Sequence, residues 1–165
     1  MAEEGARLRP PNNTLNKRVL GWWRVQLLLT AAVPVAVLAV LGLLIEPARL
    51  WLLVPAAVLA VLGLACTLLL PMWWFTVHRW EVTDEAVYVR SGAFWQEWRI
   101  APMSRIQTVD TMRGPLEQGF RLATVVVTTA SSKGAIKIEG LDHELAAELA
   151  ERLTRITQAT PGDAT

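Results

Sequence analysis

The stretch LLLTAAVPVAVLAVLGLLI (27–45), followed after four residues by LWLLVPAAVLAVLGLACTLLLPMWWF (50–75), decides how this chain is organised. Neither run holds a charged side chain, and only Glu46, Pro47, Ala48 and Arg49 separate them. A helix rises 1.5 Å per residue, so about 20 residues cross the roughly 30 Å hydrocarbon core of a bilayer. Each run is long enough. The core helices of a water-soluble protein would show a polar face, and these show none. Pro34 and Pro55 lie inside the runs, a position that membrane-spanning helices tolerate better than soluble ones because neighbouring groups satisfy the freed backbone. The first run is longer than the 7–15 residues of a signal-peptide core and a second follows at once, so cleavage is not expected. The reading is a transmembrane helical hairpin over 25–75, with spans at about 27–45 and 50–73.

Basic residues give the hairpin a direction. Arg7, Arg9, Lys17, Arg18 and Arg24 precede the first span and Arg79 follows the second, whereas the short turn carries Arg49 beside Glu46. The positive-inside rule then places the N-terminal segment and the C-terminal domain in the cytoplasm, in a cell (inner) membrane crossed twice. Trp22, Trp23 and Arg24 below the first span, Trp51 beside the outer turn, and Trp73 and Trp74 at the end of the second are expected at the membrane interface, where an amphipathic indole sits best.

Residues 1–24 form a basic cytoplasmic arm whose first sixteen residues, with Pro10, Pro11, Asn12 and Asn13, have no hydrophobic period and are expected to be a tail. Residues 158–165 make another polar tail, which leaves 76–157 as one small domain. The 165-residue chain is 53% hydrophobic and 19% charged, with a formal net charge of +1, so it has no field suited to gathering nucleic acid. Cys66 is the single cysteine, which excludes an intramolecular disulfide.

From Val77 the apolar period changes to alternation. Trp80 and Val82 share a face, Thr83-Asp84-Glu85 turns the chain, and Val87 and Val89 then oppose Tyr88 and Arg90, which predicts a β-hairpin. Further strands are expected over 95–100, ended by Pro102, over 106–112 and 123–129, and around Ile136 and Ile138. The period changes again near the end: Leu145, Leu149, Arg152, Leu153 and Ile156 follow helical spacing, with Asp142 placed to cap the helix. Antiparallel strands followed by one amphipathic helix predict an α+β roll or barrel.

Three segments together resemble a family: WEVTDEAVYVRSG (80–92), IAPMSRIQTVD (100–110), and GPL (114–116) with GFRLATVVV (119–127) are similar to the PH-like domain of bacterial YdbS-like membrane proteins. The resemblance covers essentially the whole domain and the preceding hairpin. It implies a PH-like split β-barrel of about seven strands capped by the C-terminal α-helix, and no catalytic residues. The segment Phe94-Trp95-Gln96-Glu97-Trp98 departs from it, being aromatic where relatives are basic. Phe94 and Trp95 are therefore candidates for contact with a partner or the membrane, with Trp98 as core filling the competing reading, and Arg105 is the basic residue to consider for an interaction.

Little else points to chemistry. His78 and His143 are far apart, no Cys, His and acidic residues have metal-ligand spacing, and the serines and glycines fall singly at turns. No enzyme, metal or cofactor is expected. From Thr76 onward ten basic residues face twelve acidic ones, and the first hairpin turn is Thr83-Asp84-Glu85 rather than basic, which argues against specific phosphoinositide binding. The expected function is a membrane-anchored, non-catalytic interaction module that holds a protein partner, another membrane protein or a second copy, at the cytoplasmic face. The alternative is a lipid-handling or transport accessory regulated by its PH-like domain.

Overall fold

A computed structural model describes residues 11–92, 95–130 and 134–159. Two long helices, α1 (Arg18–Leu44) and α2 (Arg49–Val77), form the hairpin, joined by a single tight turn at Glu46–Ala48. Their apolar side chains point outward, as lipid-facing surface requires: Leu44, Leu50, Val61 and Leu69 are exposed, while Ala56, Thr67 and Pro71 are buried. Small residues let the helices approach. A Cβ on Gly42 would meet Leu53 at 2.9 Å and one on Gly63 would meet Ala31 at 2.8 Å, so both glycines serve the contact within the hairpin. The hydroxyls of Thr30 and Thr67 donate to the carbonyls of Gln26 and Gly63 one turn back, so both are satisfied within their own helices.

At 27 residues α1 is about 40 Å long, more than the hydrocarbon core needs, and its first turns continue into the domain. From residue 11 onward the arm before it is not the free tail expected from composition. Residues Asn13–Thr14 form β1, paired antiparallel with Trp80 and Arg79 of β2 (Arg79–Val82), and Leu15 and Val19 are buried in the domain core. Arg18, one of the basic residues that precede the first span, pairs with Asp142 at 3.0 Å. Local alternation carries no sign of this docking, because two paired residues and one buried leucine are too few to show a period.

The domain is two antiparallel sheets. The first runs β1, β2, β3 (Ala86–Ser91), β4 (Glu97–Pro102); the second runs β5 (Ile106–Met112), β6 (Leu122–Thr129), β7 (Ile136–Asp142). The chain changes sheet at Met103–Arg105, directly after Pro102 ends β4 as expected, and the buried Met103 donates its N–H to the Glu85 carbonyl. Trp80, Val87, Val89 and Ala101 from the first sheet meet Leu122, Val125, Val127 and Ile138 from the second. The final helix α4 (His143–Ala159) packs on β5, β6 and β7, and Arg152 reaches Asp84 in the β2–β3 turn at 2.9 Å, so α4 touches both sheets. This is an α+β fold on a membrane anchor, with seven strands among the described residues once β1 is included.

Several local readings change. The stripe of α4 that enters the core is Ala146, Leu149, Leu153 and, partly, Ile156; Leu145 is 41% exposed. A short helix, α3 (Pro115–Gly119), follows Gly114, and Arg121 after it is left-handed, with φ 54°. Gly92 takes a left-handed position, at φ 102°. Asp142 caps α4 through its Oδ1, which accepts the Glu144 N–H at 3.2 Å.

Candidate membrane-surface site

The register of the first sheet fixes which end of the domain meets the membrane. Helix α2 ends at Val77, β2 begins two residues later, and Arg79 pairs with Arg90 near the end of β3. The β3–β4 turn that follows, closed by Ser91 opposite Glu97, therefore lies beside the foot of the hairpin. Gly92 in that turn indeed lines one cavity together with Trp23, Trp74 and His78. The β2–β3 turn, the 103–105 turn and Arg105 lie at the opposite end of the six-residue β4, about 20 Å away at strand rise.

Of the interface residues expected from sequence, the structure brings three tryptophans together. Trp22 stacks on Trp23 with ring centroids 6.3 Å apart, and Trp74 meets Trp23 edge-on at 5.6 Å. His78 completes the cluster, its ring 5.4 Å from that of Trp23. Its Nδ1 lies 2.8 Å from the Trp74 carbonyl oxygen; since a carbonyl only accepts, Nδ1 carries a proton. Arg24 is half-buried one residue beyond the pair, with its Nε shielded from solvent. Trp51 is 84% exposed at the far end of the hairpin, and Trp73 is 43% exposed on α2.

Trp95 and Arg105 are not brought together. Trp95 is 87% exposed in the turn beside the hairpin foot, whereas Arg105 is exposed at the domain's distal end, where its carbonyl accepts the Ala130 N–H. Phe94 lies outside the described residues. Trp98 is not core: it is half-buried on the outer face of β4, and the Arg90 guanidinium sits 5.6 Å above its ring, as their cross-strand pairing dictates.

Two features were not found by sequence reasoning. The first is a cleft of about 400 Å³ along the seam between the sheets, with Arg79, Arg90, Arg99, Lys137, Glu97 and Glu139 among its lining residues. Its positive charge is partly committed: Arg99 donates to the Glu97 carboxylate at 3.0 Å and to the Ala135 carbonyl at 2.6 Å, the latter bond joining the two sheets across the seam. The second is a groove of about 380 Å³ between the base of α1 and the outer face of β7, lined by Trp22, Trp23, Gln26, Leu27, Thr30, Trp74 and Glu139. Alternation along β7 places Lys137 and Glu139 outward, but only the docking of α1 gives that face a wall. Among the described residues no group of three or more His, Cys, Asp or Glu is arranged to hold a metal ion.

Known proteins agree with this architecture. The family described as Bacterial PH domain matches residues 25–157, hairpin and domain together, and the chain belongs to that family. Over 87 residues it is 37% identical to the UPF0699 transmembrane protein YdbS of Bacillus subtilis (strain 168), a match that covers 53% of this chain and 54% of that protein. The chain thus spans about half the length of the curated relative it matches. Of solved structures, the Spt16D Pob3N heterodimer aligns with a TM-score of 0.37 and 6% identity, over 48% of this chain and 79% of that one, too distant to inform on fold or function. Two apolar helices and a transmembrane relative make this a membrane protein carrying a PH-like domain.

Proposed function

We propose that the chain is a non-catalytic interaction module, fixed at the cytoplasmic face of the cell membrane, that holds a protein partner there. The observation that carries this reading is the burial of Leu15, Val19 and Trp23 in the domain core. A domain joined to its anchor by a flexible linker explores many poses, whereas one whose anchor helix enters its core presents a constant surface to the bilayer plane. Tethering then gives a membrane partner a high effective concentration without any strong intrinsic affinity. The surface best suited to that partner, another membrane protein or a second copy, is the β3–β4 turn, where Trp95 stands out at headgroup level beside the hairpin.

The test is mild-detergent purification of the full-length protein from its native membranes, in parallel with Trp95→Ala and Arg105→Ala. A protein retained in constant stoichiometry by the unaltered chain and by Arg105→Ala, and reduced several-fold with Trp95→Ala at unchanged melting temperature, is the expected result. Equal retention by all three removes the β3–β4 turn as the contact.

A further inference from the structure

We infer that the groove between α1 and β7 is a binding site for an ammonium-bearing lipid headgroup, with Glu139 as its counter-ion and Trp22, Trp23 and Trp74 as its walls. The inference rests on embedding of the hairpin in a bilayer and not on the partner-holding role.

Glu139 is half-buried in the groove and makes no hydrogen bond or ion pair with another described residue. A carboxylate that bonds no neighbour keeps both oxygens free to receive a cation that enters the groove. The walls suit such a cation, because the faces of stacked and edge-on indoles attract an ammonium group and do so more strongly where water is excluded. Lys137, two residues from Glu139 on the same outward face of β7, lines the neighbouring cavities and leaves Glu139 as the charged group of this groove.

The shape of the groove points to a lipid rather than a free amine. Its polar end is Glu139 on the domain; its other end climbs α1 past Gln26 and Leu27 to Thr30, inside the apolar run. A headgroup at the lower end would leave its acyl chains along the span. An adjoining cavity shares Trp23, Trp74 and Glu139 and opens toward His78 and Gly92, which gives room for a headgroup larger than a primary amine.

The full chain in a non-ionic maltoside detergent would be titrated with dihexanoyl phosphatidylethanolamine, phosphatidylcholine and phosphatidylglycerol, and separately with free ethanolamine and choline, following tryptophan fluorescence. Saturable binding of the two ammonium lipids, roughly tenfold tighter than that of phosphatidylglycerol, is expected, with Glu139→Gln abolishing the difference. Trp22→Leu serves as a second variant and is expected to weaken the ammonium lipids alone. Glu144→Gln, an exposed control on α4, is expected to change nothing. Tighter binding of phosphatidylglycerol, or a preference that survives both groove variants, overturns the inference. Binding of free ethanolamine or choline as tight as that of the lipids overturns the lipid assignment.

Discussion

Glu117 shows how much one buried side chain settles in this domain. Its carboxylate is 8% exposed and accepts two bonds, from the Gly114 N–H at 2.6 Å and from the Thr124 hydroxyl at 2.7 Å. The first closes the start of α3 and the second fastens α3 to the central strand β6. Replacement by alanine strands both donors, at a cost of about 1–3 kcal/mol each where burial is complete. Glu117→Ala is therefore expected to lower the unfolding midpoint in denaturant clearly, and Glu117→Gln, which keeps an acceptor, to lower it less; equal and negligible effects would show that α3 contributes nothing. In sequence, Glu117 is one of many acidic residues. Nothing local marks it as buried, because the carboxylate acquires its role only once Thr124, on the next strand, lies beneath it.

At the scale of elements, what was legible is what a period can encode. Alternation located β2 and β3, and β-branched runs located β5 and β6, to within a residue or two; β7, placed around Ile136 and Ile138, runs on to Asp142, and apolar length located the hairpin. Helical spacing found α4 but assigned its inner face imperfectly. Leucine spacing favours Leu145, whereas close packing of the first turn against the sheet selects the small Ala146, which is fully buried. The two assignments differ in their consequences. Leu153→Ala, at a fully buried position, is expected to cost about 2–5 kcal/mol. Leu145→Ala is expected to stay within about 0.5 kcal/mol. Chemical denaturation of the two variants checks this, and a large loss at Leu145 would restore the sequence-derived face. The docked arm, the α3 turn and the groove on β7 were illegible for a common reason. Each arises from contacts between segments distant in sequence, such as Val19 against Gly140, where a glycine at φ 68° leaves no room for a side chain: a Cβ there would lie 2.5 Å from Val19. Of the site residues, Trp22, Trp23 and Trp74 were legible from their positions flanking the spans, while their mutual contact and the role of Glu139 were not.

For the whole molecule, the consequence is that anchor and domain form one unit with a definite membrane-facing end. The aromatic cluster, the β3–β4 turn with Trp95, and the α1–β7 groove all lie at that end, whereas Arg105 and the β2–β3 turn face away. The proposal that this end sits on the cytoplasmic side rests on the basic residues flanking the hairpin and on the single Arg49, itself 3.8 Å from Glu46, in the turn. Substituted-cysteine labelling tests it directly, since Cys66 is the single cysteine and Cys66→Ser provides a clean background. In that background, Arg49→Cys is expected to react with a membrane-impermeant maleimide in intact cells and Glu97→Cys only after the membrane is opened. Labelling of Glu97→Cys in intact cells, with Arg49→Cys protected, would place the PH-like domain outside and contradict the account.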